Sequence, residues 1–339
     1  MRIAIYGGGA IGGHVAARLG HAGHAVSIVA RGAQRDAIAA DGLRLQLGDA
    51  VLHTHPAVDE DPRALGPQQV VFVTVKATAL AAVADGLAPL VDENTVVVFA
   101  QNGMPWWYPV GLSAAHGPLP PLPIFRLADA FLDTLRPDQV IPAVVYSANE
   151  VVAPGVVRSN SPGRNVLELA PLAGPAASAA PTLDALRSAL VDAGIGSPAV
   201  DDIRAAMWLK LIVNATASSL AVATGNPRAP AVDADVGRTF RHIVDECLAV
   251  TAALGFDHAA RLDVTRWTAR PSGHTPSMLQ DFEQGRPVEL DEIVLAPLAF
   301  ARAIGIATPT LDAVAAIAVR RCIDRGVYGG HAGRPPASP

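Results

Sequence analysis

Apolar residues along the first hundred positions come in short runs separated by segments of helical period. Arg2–Tyr6 and Ala25–Ala30 predict strands, with a helix over Ile11–Ala22 between them. Val70–Val75 (VVFVTV) and Thr95–Ala100 (TVVVFA) are unbroken, β-branched runs of strand length. Runs apolar on both faces suit a parallel sheet covered by helices on either side, and the strand–helix–strand alternation predicts a doubly wound α/β sheet. Val144–Val152 and Gly155–Arg158, separated by Ala153-Pro154, predict a hairpin, followed by a strand at Val166–Leu169 and a helix from Thr182 to Ala193. Beyond Asp201 the pattern becomes helix after helix: Asp202–Thr224, Ala231–Leu254, Met278–Gly285, Glu289–Ile304 and Thr310–Asp324, with a kink expected at Pro297.

Between Pro105 and Pro142 neither period holds. Trp106, Trp107 and Tyr108 are followed by Pro118-Leu119-Pro120-Pro121-Leu122-Pro123. Prolines cannot serve in a central strand, so this stretch reads as an insertion or lid. The predicted organisation is a sheet-bearing domain over residues 1–200 with an insertion at about 105–142, an all-helical domain over 201–328, and a frayed Gly/Pro/Ala/Ser-rich tail over 329–339.

Composition supports two well-buried cores: 339 residues, 50% hydrophobic and only 17% charged. A net charge of −5 offers no general attraction to nucleic acid or to an anionic membrane. No stretch reaches about 18 uninterrupted apolar residues, so no membrane span is expected. The N-terminal apolar run meets Gly7 too early for a signal peptide. Cys247 and Cys322 read as free thiols of a cytoplasmic protein. The close histidine pairs, His21/His24 and His53/His55, lack the Cys or acidic partners that metal-ligand spacing needs, so no metal is expected.

Candidate chemistry begins at Gly7-Gly8-Gly9-Ala10-Ile11-Gly12, a G-x-G-x-x-G that follows a strand and opens a helix. Gly7 permits the tight turn, Gly9 lets the backbone approach a pyrophosphate, and Gly12 lets helix and strand pack closely. The helix N-terminus supplies unpaired N–H groups for the anion. At the end of the second strand, where an NAD site usually carries a carboxylate, the chain has Arg31, with Arg35 one helical turn later. A guanidinium matches a 2′-phosphate and favours NADP(H), the alternative being a solvated strand-end arginine.

Two further strands end in Lys76 and in Gln101-Asn102-Gly103, and strand ends of this kind face the ligand crevice of an open α/β sheet. Each is equally readable as a surface lysine or a plain turn. In the helix around Trp208-Leu209-Lys210, Lys210, Asn214 and Ser218 share one face at i, i+4 and i+8. Lys210 is either a proton donor in apolar surroundings or a lysine whose stem packs while its amine reaches water. Ser277 and Gln280 have capping-box spacing, and Glu289 opens a helix as a first-turn acid, so both carry structural readings as well.

Together these segments resemble the ketopantoate reductase (2-dehydropantoate 2-reductase) family over nearly the whole chain. The resemblance rests on the glycine motif, Lys76, Asn102-Gly103, Trp-x-Lys-Leu-x-x-Asn at 208–214, and Ser-Met-Leu-Gln-Asp at 277–281 followed by Gly285-Arg286-x-x-Glu289-x-Asp291. It implies a Rossmann domain joined to a helical domain like that of 6-phosphogluconate dehydrogenase, NADPH as reductant, a small 2-oxo acid as substrate and a place in pantothenate biosynthesis. It further implies Lys210 as general acid and Asn102 and Asn214 as groups orienting substrate and lysine. Ser277 would bind the substrate carboxylate, Glu289 the substrate hydroxyl and Lys210, and Lys76, Asn102 and Glu289 would also contact cofactor. The resemblance implies 2-dehydropantoate (ketopantoate), reduced to pantoate, as that substrate; Ser218 stands among the substrate-binding positions where the pantoate-forming enzymes have a second asparagine, and the Trp106–Tyr108 cluster enlarges the region past Asn102, so a paralogue acting on another 2-oxo acid is the alternative. Competing readings are a 3-hydroxyacid dehydrogenase, which shares Lys-x-x-x-Asn, and a non-catalytic NADP(H)-sensing protein. The apolar helical half is compatible with a homodimer.

Overall fold

The computed structural model describes residues 1–161, 163–172, 180–257, 262–269 and 275–329, without the side chains of Arg266 and Trp267. From residue 330 the predicted tail lies outside the described residues. The chain divides into two compact units, Met1–Leu112 with Pro123–Met207, and Ser113–Leu122 with Trp208–Pro339.

Among the described residues, eleven strands belong to the first unit. Seven form the main sheet: β1 (Arg2–Tyr6), β2 (Ala25–Val29), β5 (Ala57–Asp59), β6 (Val70–Val73), β7 (Val96–Phe99), β8 (Val140–Tyr146) and β11 (Val166–Leu169). Their order is β11-β8-β7-β6-β1-β2-β5, parallel throughout except for β11. β6 and β7 are buried along their whole length, as their β-branched runs require. Helices α1 (Ala10–His21), α2 (Gly32–Asp41), α3 (Leu80–Gly86), α4 (Leu127–Leu132) and α5 (Ala180–Asp192) belong to the same unit. This is the doubly wound, Rossmann-type arrangement expected from the sequence, with one antiparallel edge.

A second sheet, of order β4-β3-β10-β9, is formed by β3 (Leu43–Leu47), β4 (Ala50–Thr54), β9 (Asn149–Ala153) and β10 (Val156–Ser159). The predicted hairpin corresponds to β9 and β10 turning through Pro154-Gly155, while β8 ends at Tyr146 in the other sheet. Sequence reading merged β8 with β9 because both are valine-rich and nothing apolar marks the Ser147-Ala148 change of sheet.

Parts of the stretch 105–142 belong to the core of the first unit, while Ser113–Leu122 groups with the second. Trp106, Trp107 and Tyr108 are almost wholly buried, Trp106 stacking on Phe131 and meeting Phe99 edge-on. Pro142 lies inside β8, where its missing N–H is tolerated at a change of partners. Residues 140–142 pair with β7 and residues 143–146 pair with β11.

In the second unit, the boundary falls within α6 (Ile203–Thr224), and α7 (Ala229–Val232), α8 (Ala234–Ala253), α9 (Thr265–Thr268), α10 (Ser277–Glu283), α11 (Ala296–Ile304) and α12 (Pro309–Asp324) follow. The helix predicted over Ala231–Leu254 is split at Asp233, whose carboxylate accepts from the N–H groups of Asp235 and Val236 and so caps α8. α6 is long and apolar enough to cross a membrane by length and composition, but most of its apolar window is buried inside the protein, as in a core helix. Upstream of α11, Asp291–Leu295 winds as a π-helix. Pro297 explains it: an α-helical turn there would leave the Ile293 carbonyl without a donor and against the proline ring, and a wider turn relieves both.

One buried group gives the first unit a pH dependence. His14 on α1 is 1% exposed, and its Nε2 shares a 2.8 Å hydrogen bond with Asn165 Oδ1, while Nδ1 has no partner among the described residues. Burial pushes its pKa down to about 4. The unfolded chain therefore binds the extra proton first, and stability falls as pH drops from the usual histidine value toward 4. A shift of this size corresponds to about 3 kcal/mol when fully developed. In urea titrations at pH 7.5 and 4.5, His14→Gln should gain on the wild type by up to about that amount at the lower pH. A pH-independent gap between the two proteins would show that His14 is not held neutral.

Candidate functional site

The parallel strands of the first unit end in register. Tyr6 pairs with Val29 on one side and Val73 on the other, and Val73 pairs with Phe99. The residues just beyond these four ends are the glycine turn, Arg31, Lys76 and Asn102, so hydrogen-bond register alone brings them to one edge of the sheet. Lys76 and Asn102 each follow their paired residue by three positions, and both are half-buried.

The glycine turn is held by specific contacts. Gly7 has φ +110°, and its N–H donates to the Val29 carbonyl at 3.0 Å. A Cβ on Gly12 would lie 2.0 Å from the Gly7 carbonyl oxygen and 2.4 Å from Thr74 Oγ1, so α1 can approach β1 this closely only with glycine there. Gly9 is the N-cap of α1, and a Cβ built on it meets nothing within 4 Å. Between them, Gly8 is buried and Ala10 and Ile11 are half-buried, and no acid occupies the first turn of α1 to compete for its N–H groups. The open cradle at Gly9 and the free helix start fit a dinucleotide pyrophosphate.

Three residues that sequence reading passed over brace this edge. Thr74 Oγ1 donates to the Gly7 carbonyl at 2.7 Å. Gln34 donates from Nε2 to the Gly8 carbonyl at 2.6 Å and accepts through Oε1 from the Gly155 N–H at 3.0 Å. Gln101 Nε2 donates to the carbonyls of Val73 and Val75 at 2.7 and 3.3 Å, tying the end of β7 to the loop that carries Lys76. For Thr74 and Gln101 the hint in the sequence is a polar residue just past a strand end; Gln34, inside α2, carries none.

Arg31 is exposed and sits at the N-cap of α2 with extended backbone. Arg35, the second guanidinium expected there, is engaged by Asp36 at 2.6 Å and Glu60 at 3.5 Å.

In the second unit, Lys210 and Asn214 are half-buried on α6, and Ser218, one turn further on the same face, is 5% exposed. Trp208 anchors this helix edge-on to Phe300 at 5.2 Å. Ser277 does not form the capping box its spacing suggested. Pro276 takes the N-cap, and its carbonyl accepts from the N–H groups of Leu279 and Gln280. Ser277 is therefore already helical and cannot reach back to cap; its side chain is exposed, and Gln280 Nε2 donates instead to the Thr275 carbonyl. Asp281, 4% exposed, pairs with Arg286 at 2.8 Å and pins the turn that leads to Glu289.

Glu289 is half-buried at the mouth of the π-helix, its carbonyl accepting from Ile293 N–H. Val288 N–H donates to the Val327 carbonyl and the Tyr328 hydroxyl to Asp291, which fixes the backbone on both sides of Glu289. Glu292, on the same turn, has its pKa pushed up to about 7, chiefly by burial and further by the Glu289 and Asp291 carboxylates. Among the described residues, no group of three or more His, Cys, Asp or Glu is gathered for a metal ion.

Comparison with known proteins agrees with both halves of this arrangement. Residues 3–106 match the family described as "Ketopantoate reductase PanE/ApbA", and residues 202–320 match "Ketopantoate reductase PanE/ApbA C terminal". A 2-dehydropantoate 2-reductase of Mesorhizobium japonicum is 38% identical over 97% of this chain and 100% of its own length. The crystal structure of a PanE/ApbA family ketopantoate reductase from Ralstonia eutropha superposes with a TM-score of 0.77 at 27% identity, covering 96% of this chain and 100% of that one. A ternary structure of D-mandelate dehydrogenase with NADH and anilino(oxo)acetate has a TM-score of 0.79 at 20% identity, covering 97% and 100%, a likeness of fold.

Two outcomes check this geometry. Gly12→Ala should cost more than about 2 kcal/mol by thermal or urea unfolding, because the clashing atoms are backbone and a braced threonine. Gly9→Ala should unfold like the wild type yet bind dinucleotide at least about tenfold more weakly, its methyl occupying the open cradle. Equal stability for both, or unchanged affinity for Gly9→Ala, would contradict it. For Glu292 the folded pKa lies above the unfolded one, so its stabilising share is present at low pH and is lost as pH rises through about 7. Glu292→Gln should therefore be more stable than the wild type at pH 8.5, by up to about 3 kcal/mol, and lose that advantage near pH 4.5. Urea midpoints at the two pH values measure it.

Proposed function

We propose that this chain, which belongs to the ketopantoate reductase family, is an NADPH-dependent reductase of a 2-oxo acid, with 2-dehydropantoate, reduced to pantoate, as its substrate. The family consists of oxidoreductases that act on a CH–OH group and use a nicotinamide cofactor. The observation that carries the reading is the common edge of four in-register strands, where an open glycine cradle lies in line with an exposed Arg31, with Lys76 and with Asn102. Bound there, a dihydronicotinamide supplies a hydride.

The chain's own residues have the remaining tasks. Gly8, Gly9, Ala10 and Ile11 offer backbone N–H groups to the pyrophosphate, and Arg31 offers a bidentate fork to the 2′-phosphate. Lys76 and Asn102 hold the cofactor and substrate edge. Lys210 gives a proton to the carbonyl oxygen as charge develops on it. A cation with amide donors stabilises that oxyanion more than the neutral ketone, which is what lowers the barrier. Asn214 orients the lysine and substrate, Ser277 donates to the substrate carboxylate, and Glu289 accepts from the nascent hydroxyl and from Lys210. Ser218 contacts the substrate one helical turn beyond Asn214. With both cysteines free and buried, the reading places the protein in the cytoplasm.

NADPH and NADH oxidation over a panel of 2-oxo acids tests this. The expected result is turnover of ketopantoate with NADPH preferred, and in Lys210→Ala a fall in kcat of about 10²- to 10⁴-fold with NADPH affinity nearly unchanged. Turnover of another 2-oxo acid instead would relocate the substrate to the Ser218 side of the site. Oxidation of 3-hydroxy acids alone, or tight NADPH binding without turnover of any compound, would contradict the proposal.

A further inference from the structure

Resting on the reading that Arg31 meets a 2′-phosphate, we infer that Glu60, acting with Asp36, determines how strongly the phosphorylated cofactor is preferred, by holding Arg35 in an ion pair beside that position. β5 runs alongside β2, with Asp59 opposite Val29 and the Ala30 N–H donating to the Asp59 carbonyl. The chain leaves β5 through Asp59-Glu60-Asp61, so an acidic turn travels next to Ala30-Arg31. Two of these carboxylates are locked locally: Asp59 Oδ1 accepts from Asp61 N–H at 2.9 Å and Asp61 Oδ1 from Arg63 N–H at 3.0 Å. Glu60 is the one that reaches Arg35, 3.5 Å from its Nη1, while Asp36 Oδ1 accepts from Nε and Nη2 at 2.8 and 2.6 Å.

The two guanidinia thus differ in kind. Arg31 is exposed and, among the described residues, takes part in no ion pair. Arg35 has its fork occupied and its charge offset, in a field to which Asp59 also contributes. A phosphate dianion arriving at Arg31 gains little from Arg35 and is opposed by the unbalanced acids around it. NADH lacks that group, and its pyrophosphate lies further off, so it is much less sensitive to the same charges. The preference of the wild type is therefore held to what Arg31 alone provides, and NADH remains a usable cofactor. The pair is open to change because it is solvated, Arg35 being 36% and Glu60 56% exposed, so removing the Glu60 charge leaves the fold intact.

Fluorescence titration of the full-length protein with NADPH and with NADH tests this in four proteins: wild type, Glu60→Gln, Arg35→Ala and Arg31→Ala. Glu60→Gln should tighten NADPH by about three- to tenfold and leave NADH within about twofold. That gain should shrink at 0.5 M salt, roughly, as the charges are screened. Arg35→Ala, which leaves Glu60 and Asp36 unbalanced, should weaken NADPH by about three- to fivefold, clearly less than the loss of about tenfold or more in Arg31→Ala. If Arg31→Ala behaves so but Glu60→Gln leaves both affinities alone, or Arg35→Ala costs as much as Arg31→Ala, the inference is overturned while the phosphate reading stands. An Arg31→Ala protein that binds NADPH normally removes the reading and the inference together.

Discussion

The contact on which the first unit depends is the approach of α1 to β1 at Gly12, where no Cβ could be placed without meeting the Gly7 carbonyl and Thr74. Closing that distance aims the start of α1 along the sheet edge and leaves its first N–H groups facing outward. It also puts the Gly7 carbonyl in reach of Thr74 Oγ1, so the turn is clamped to β6 as well as to its own strand. Gln34 does the same for Gly8 from α2 and extends the clamp to the β9–β10 hairpin. The cradle is a consequence of packing and needs no charged side chain of its own.

Register does the second part of the work. A parallel sheet has evenly spaced hydrogen bonds, so strands that pair residue for residue also finish together. β2, β1, β6 and β7 do, and polar residues placed two or three positions beyond each end arrive at a common edge without any direct contact being designed between them. The helical unit assembles its polar residues by different means. Helical periodicity aligns Lys210, Asn214 and Ser218 on α6, a proline-driven π-helix widens the turn beside Glu289, and the Asp281–Arg286 pair holds the segment between Ser277 and Glu289.

What was legible in the sequence follows from these mechanisms. Strands buried on both faces announce themselves as β-branched runs, and the glycine motif in its strand–turn–helix context is a local signal, so the doubly wound sheet and its turn could be read directly. The second sheet could not: β3 (LRLQL) mixes polar with apolar residues, β4 (AVLHT) has no buried position at all, and β10 joins β3 across more than a hundred residues of chain. The aromatic cluster misled because prolines nearby suggested a surface excursion, whereas Trp106, Trp107 and Tyr108 fill the core beside Phe99 and Phe131. Ser277 shows the limit of spacing rules, since a proline one position earlier displaced it from the cap. Gln34, Thr74 and Gln101 act through backbone carbonyls, and nothing in a single sequence distinguishes such residues from ordinary polar ones.

In the proposed reaction a hydride moves from a reduced nicotinamide to the keto carbon of a 2-oxo acid. Its most direct test is a turnover with NADPH carrying deuterium on the transferable position of C4, with ketopantoate as substrate, and mass or NMR analysis of the product. The expected product is pantoate with one deuterium, on C2, and no label in solvent. Unlabelled product, or intact cofactor and unreacted ketopantoate despite demonstrated NADPH binding, would contradict it.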